Sequence, residues 1–210
     1  LNLTRKYNVF LNILGLQMKQ AKVLTEVEFK IVLAVVSTTR HAARNRIAIM
    51  LSHQAGLRVG EISHLKIGDV LLDDGSICDQ IHLNPDFTKG GIGRTIFIIT
   101  KLSKELQKYI KSLSGLSSRL REPDSPLIAS QKRGSFSANS LCQLFAELYT
   151  LSGLKGASSH SGRRGFISKL AHAGISSKVI MELAGHKHLS TTQRYIDVTD
   201  EHKKSAVELV

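Results

Sequence analysis

The sequence predicts a mainly helical domain of the α+β class with one small antiparallel sheet. Three observations carry that reading. Apolar residues recur at helical spacing, behind capping residues, on both sides of the chain's middle. The helical period gives way to β-branched runs over residues 77–83 and 95–99. Glycines then stand where the helices should stop, at Gly56, Gly153, Gly174 and Gly185.

The first element starts behind Leu24. Thr25 and Glu28 form a capping box, in which each side chain satisfies a backbone N–H that the helix leaves open. Leu24 and Phe29 stand at the positions of a hydrophobic staple, and Phe29, Val32, Leu33 and Val36 continue one face. A second helix is expected from His41 to Ala55 with Ile47, Met50 and Leu51 inward, then a short amphipathic turn through Val59, Ile62 and Leu65. The two β-branched runs are bounded by Asp73-Asp74-Gly75 and by residues 90–93. Ser103 is read as the cap of a helix carrying Leu106, Tyr109, Ile110 and Leu113, and residues 114–126 as a loop. Ser137 caps a helix through Leu141, Leu144, Phe145 and Leu148. Helices then follow over residues 160–172, 177–184, 190–196 and 200–209. Residues 1–23 read as a basic leader, and residues 24–210 as one domain without repeat or linker.

Composition narrows the function classes. Lys and Arg number 29 against 17 Asp and Glu, a net charge of +12. With 42% hydrophobic residues the chain is globular rather than disordered or collagen-like. Cys78 and Cys142 lie 64 positions apart, which suits a reducing compartment rather than a disulfide scaffold. No apolar run reaches the length of a membrane span. The positive excess favours a polyanionic partner, of which nucleic acid is the commonest, although ribosomal and membrane surfaces attract the same charge.

Four short segments stand out, and each has an ordinary reading alone. Ala55-Gly56-Leu57-Arg58-Val59-Gly60-Glu61 is a helix stop followed by an arginine, and Thr88-Lys89-Gly90-Gly91-Ile92-Gly93-Arg94 is a basic hairpin tip. His160-Ser161-Gly162-Arg163-Arg164 sets His160 and Arg163 on one helix face. Gly185-His186 precedes Tyr195 by nine positions from the histidine. Together, the order Arg58, Lys89, His160, Arg163, His186, Tyr195 resembles the active-site set of the tyrosine recombinases, or phage integrase family. The phrases Ala-Gly-Leu-Arg-Val-Gly-Glu, Leu-Ala-Gly-His and Thr-Thr-Gln-Arg-Tyr carry the likeness, which spans residues 24–195.

The residue types suit metal-free cleavage of a phosphodiester. Phosphoryl transfer rests on positioning and electrostatics. Arg58 and Arg163 can clamp the non-bridging oxygens as permanently charged forks. Tyr195 is the nucleophile, and needs nearby cations because a free phenol ionises only near pH 10. His160 is placed as base or proton shuttle, and His186 as a donor to the phosphate. By resemblance Lys89 is the acid that protonates the departing 5′ oxygen, and Glu61 orients Arg58 or a histidine. Arg44, Arg94, Arg164 and Lys187 are expected to contact DNA. A zinc site drawn from His160, His186 and His188 lacks a third ligand at metal-like spacing, so neither metal nor cofactor is expected.

The resemblance implies an integrase-type catalytic domain that makes a 3′-phosphotyrosyl intermediate on double-stranded DNA, without ATP. It implies a tetramer on paired DNA sites in the prokaryotic cytoplasm, associated with the nucleoid. Typical members carry a further DNA-clamping domain; here 23 residues precede Leu24, as in a catalytic fragment or a small single-domain member. Residues 197–210 are expected to form a tail helix whose apolar stripe packs either on its own domain or on a neighbouring subunit.

Overall fold

A computed structural model describes residues 20–88, 91, 93–113, 122–132 and 134–195, with 204, 207 and 208 near the C-terminus. Helix α1 (Glu26–Ser37) begins at the expected capping box: Glu28 N donates to Thr25 Oγ1 at 3.2 Å and Thr25 N to Glu28 Oε2 at 3.0 Å. Both staple residues, Leu24 and Phe29, are buried. Helix α2 (Ala42–Gln54) ends at Gly56, whose φ of +66° is the left-handed turn that glycine tolerates best.

Helix α2 is the axis of the domain. One face was expected to be inward, yet Ile47, Ala48, Ile49, Met50 and Leu51 are all buried, as are Asn45, Ser52 and His53. The reason is that α2 packs against α1, α4 (Thr100–Leu113) and α6 (Ser161–His172), which leaves it little solvent face. Helix α3 (Val59–His64) follows the Gly56 turn and rests on α5 (Ala138–Leu151).

The sheet has two antiparallel strands, β1 (Gln80–Leu83) and β2 (Arg94–Phe97), with Ile81 opposite Ile96 and Leu83 opposite Arg94. It is shorter than the β-branched runs suggest. Ile77 pairs instead with Leu71 across the Asp73-Asp74-Gly75 turn, and the chain leaves β2 because α4 starts at Thr100. Ser103 therefore sits inside α4 rather than capping it. Ser137 does cap α5, and Ser176 caps α7 (Ser177–Ala184). Helix α8 (Leu189–Gln193) is shorter than the expected 190–196.

No described helix is long and apolar enough to cross a membrane. Residues 1–19 of the leader, and all of the tail reading beyond 195 except Lys204, Val207 and Glu208, lie outside the described residues.

Candidate active site

The site is assembled where three helix ends meet. At the first, the Gly56 turn delivers Arg58 to the N-terminus of α3, where its backbone N–H donates to Glu61 Oε2 at 2.7 Å and its Nη1 to Glu61 Oε1 at 2.7 Å. Glu61 is almost fully enclosed, with 1% of its side chain exposed. Arg94, first residue of β2, closes on the same carboxylate: Nη1 to Oε1 at 2.6 Å and Nη2 to Oε2 at 2.8 Å. Burial pushes the Glu61 carboxyl up, but the hydrogen bonds and charges of Arg94 and Arg58 outweigh that and hold it below the usual carboxylate range.

The second end is the C-terminus of α7. Its last carbonyls have no partner within the helix and carry the negative end of its dipole. Two arginines satisfy them. Arg94 Nε donates to Leu183 O at 3.1 Å, and Arg163 Nη2 donates to Ala184 O. Arg163 Nη1 reaches across to Gly56 O at 2.7 Å, so one guanidinium bridges the turn after α2 and the end of α7. Burial, with Arg58 and Arg94 nearby, lowers Arg163 to about 9, so it remains charged at neutral pH. Gly185, with φ of +59°, caps α7 and turns the chain directly into His186.

The third end is α8. His186 Nδ1 lies 2.9 Å from Thr192 Oγ1. Its ring stacks on Tyr195, centroids 5.8 Å apart and planes 20° apart. Burial, then Arg163, Arg58 and Arg94, depress His186 to about 4, so the ring is neutral at pH 7. Tyr195 packs on Ile167, Ile180 and Ala184. Its outer side lines a cleft with His160, Arg164, Thr191 and Arg194. His160 is exposed at the N-terminus of α6, one helix turn from Arg163.

Five of the six expected catalytic residues, Arg58, His160, Arg163, His186 and Tyr195, thus fall within one connected set of contacts and cleft walls. Lys89, between β1 and β2 in sequence, lies outside the described residues. The expected DNA contacts divide. Lys187 is exposed beside His186, and Arg164 is half-buried with its guanidinium carbon 5.8 Å from the Tyr195 ring centre. Arg94 departs from the expectation, because its side chain is 4% exposed and committed to Glu61 and Leu183. Arg44 departs from it too: it bonds Asn45 Oδ1 and Ala129 O and covers the Phe136 ring, holding the start of α2 to the 129–136 segment. Thr192 was not singled out by sequence, where a threonine in Thr-Thr-Gln carries no signal of its own.

A profile of the Phage integrase family matches residues 22–202. The chain belongs to that family. Tyrosine recombinase XerA of Pyrococcus furiosus is 34% identical over 191 residues, which are 89% of this chain and 61% of that protein. XerC of Lactobacillus leichmannii is 30% identical over 161 residues, 76% of this chain and 52% of the relative. The chain therefore spans about half to three-fifths of these relatives. Among solved structures, a XerA recombinase superposes with a TM-score of 0.69 at 22% identity, covering 98% of this chain and 72% of the other. The helical domain with its two-stranded sheet is thus the fold expected for an integrase-family catalytic domain.

Proposed function

We propose that this integrase-family chain cuts and rejoins strands of double-stranded DNA at specific sites, with Tyr195 as nucleophile. The observation that carries the reading is the stack of Tyr195 on neutral His186, beside an arginine held rigid at two carbonyls. The Tyr195 oxygen attacks phosphorus and its proton passes to His160. The bond to the 5′ oxygen breaks, and that oxygen takes a proton from Lys89, the role the family resemblance gives this lysine. The product is a 3′-phosphotyrosyl ester and a free 5′-hydroxyl, with no change in the number of phosphoester bonds. Religation runs the same steps backwards and needs no nucleotide cofactor.

Electrostatics supports the assignment. Arg58, Arg94 and Arg163 against Glu61 give 3 − 1 = +2 in the site, with His186 neutral. That positive excess, to which Arg164 on the Tyr195 cleft wall adds, opposes the two negative charges of a pentavalent phosphorane. Arg163 uses two of its five N–H donors on Gly56 and Ala184, which fixes the fork and leaves three for phosphate oxygens. His186, with Nδ1 engaged at Thr192, keeps Nε2 for a further donor role. Lys187 and Arg164 suit backbone phosphates, and the +12 net charge makes affinity fall with salt. A XerH recombinase has been crystallised on its difH substrate after cleavage, and a lambda integrase dimer on a core site. Those structures support a DNA partner; that the chain acts as a tetramer on paired sites, associated with the nucleoid, is what the family resemblance implies.

The test is a nicked duplex, chosen from a random pool by its affinity for the chain, from which the short fragment beyond the cut diffuses away. Incubation should yield an SDS-resistant adduct, and peptide mass spectrometry should place the nucleotide on Tyr195. An adduct on another residue, or none, would refute the assignment.

A further inference from the structure

We infer that Arg94 is a positioning residue for strand cleavage: it holds Glu61 in place so that Glu61 holds the Arg58 guanidinium, and it does not touch DNA. The inference rests on the reading of the site as a tyrosine-nucleophile centre. A carboxylate offers about four lone-pair directions. Glu61 has four donors, namely Arg58 N, Arg58 Nη1, Arg94 Nη1 and Arg94 Nη2, at 2.6–2.8 Å. Arg94 supplies half of them, bidentately, from a different element 33 positions away. Oxygen Oε1 is shared between the two arginines, so the Arg58 fork is oriented by a carboxylate whose own position is fixed from β2.

The rest of Arg94 is equally committed. Its Nε grips Leu183 O, and its stem crosses Gly185, where an added Cβ would stand 2.7 Å from Arg94 Cδ. A glycine directly before His186 therefore leaves room for this arginine as well as turning the chain. Arg94 thus links β2, the Arg58 helix and the peptide that precedes His186. Without it, Glu61 would stay enclosed with Arg58 as its one remaining side-chain donor. The carboxylate would then draw the Arg58 guanidinium toward itself and away from a phosphate. Lysine keeps the charge but presents a point rather than a planar fork, so it cannot replace the bidentate pair.

The test uses Arg94→Lys and Arg94→Gln in the 210-residue chain, each alone and with Glu61→Gln. Duplex affinity is measured against salt concentration. Single-turnover adduct formation is measured at saturating nicked duplex, with oxygen or sulfur at the 5′ bridging position. Affinity and its salt slope should be unchanged, whereas the saturated rate should fall roughly ten- to hundredfold. The fall should be equal on the oxygen and sulfur substrates, because the clamp is disturbed and not the acid. Adding the Arg94 change to Glu61→Gln should cost little more than Glu61→Gln alone.

A salt slope shallower by about one unit, with the saturated rate intact, would make Arg94 a phosphate contact and overturn the inference. Rescue by sulfur would also overturn it, by assigning Arg94 to the leaving group. Additive losses in the double variant would do the same. No adduct from the wild-type chain would refute the tyrosine-nucleophile reading and this inference with it; in every other failing case the wild-type chain still cleaves.

Discussion

The imidazole of His186 lies over the phenol ring of Tyr195, 5.8 Å between centroids, and Thr192 hydrogen-bonds to both residues. The Thr192 hydroxyl is 2.9 Å from His186 Nδ1, and its carbonyl accepts the Tyr195 backbone N–H at 2.9 Å. Fully buried Thr192 therefore sets the spacing of His186 and Tyr195, the proposed phosphate donor and nucleophile, through one residue.

Thr192→Val tests that arrangement, since it keeps the shape and removes the hydroxyl. A buried nitrogen loses its partner, which should cost about 1 kcal/mol of stability. Cleavage should slow by roughly tenfold as His186 loses its fixed orientation. Urea unfolding and single-turnover adduct formation check the two effects separately, and duplex affinity should not change.

At Gly162, α6 lies close against Ser52 and His53 of α2. A Cβ there would stand 2.4 Å from Ser52 Oγ and 2.8 Å from His53 Cδ2. Both neighbours are buried, so neither can swing aside. Gly162→Ala should cost roughly 1–3 kcal/mol through overpacking. A thermal melt would register this as a drop of roughly 3–10 °C for a chain of this size. Because Gly162 stands between His160 and Arg163, cleavage should decline in the same variant at temperatures where it is still folded.

Arg163→Lys keeps a positive charge but cannot hold Gly56 O and Ala184 O at once. The turn after α2 and the end of α7 lose their common donor, and at least one buried carbonyl is left open. The expected loss is about 2–3 kcal/mol in urea unfolding. Cleavage should fall by about 10²–10³, as for other donors aimed at a developing oxyanion.

Two buried histidines set the acid response. His186 is depressed to about 4 and His53 to about 3, the latter by burial first, with its Nε2 2.9 Å from Tyr149 Oη. An unfolded histidine takes its proton near pH 6.5. Between that pH and the folded values the unfolded chain holds more protons, so stability falls as pH falls. The loss should begin below about pH 6.5 and continue toward pH 4. His53→Gln should flatten the dependence of the urea midpoint on pH between 6.5 and 4.5. An unchanged slope would show that His53 takes up its proton normally in the folded chain.

Local signals in the sequence were enough to place most of the described helices. The Thr25–Glu28 box, the Ser137 cap and the stops at Gly56 and Gly185 are all fixed by chemistry within a few residues. What the sequence did not reveal depends on distant partners. Arg94 reads as a basic hairpin edge because Glu61 is 33 positions away, and Arg44 reads as a DNA contact because Ala129 is 85 positions away. An arginine looks the same in sequence whether solvent or a buried carboxylate receives it. The all-round burial of α2 was hidden for a similar reason: periodicity reports one packed face, not how many neighbours arrive later in the chain.

The central claim is that the hydroxyl of Tyr195 becomes the ester to DNA. The most direct measurement compares wild type with Tyr195→Phe on one nicked duplex, reading SDS-resistant adduct and equilibrium affinity in parallel. Phenylalanine preserves the stack on His186 and the packing on Ile167, Ile180 and Ala184. Affinity should therefore match wild type while adduct disappears. Adduct formation by the Phe variant at a rate near wild type would contradict the account.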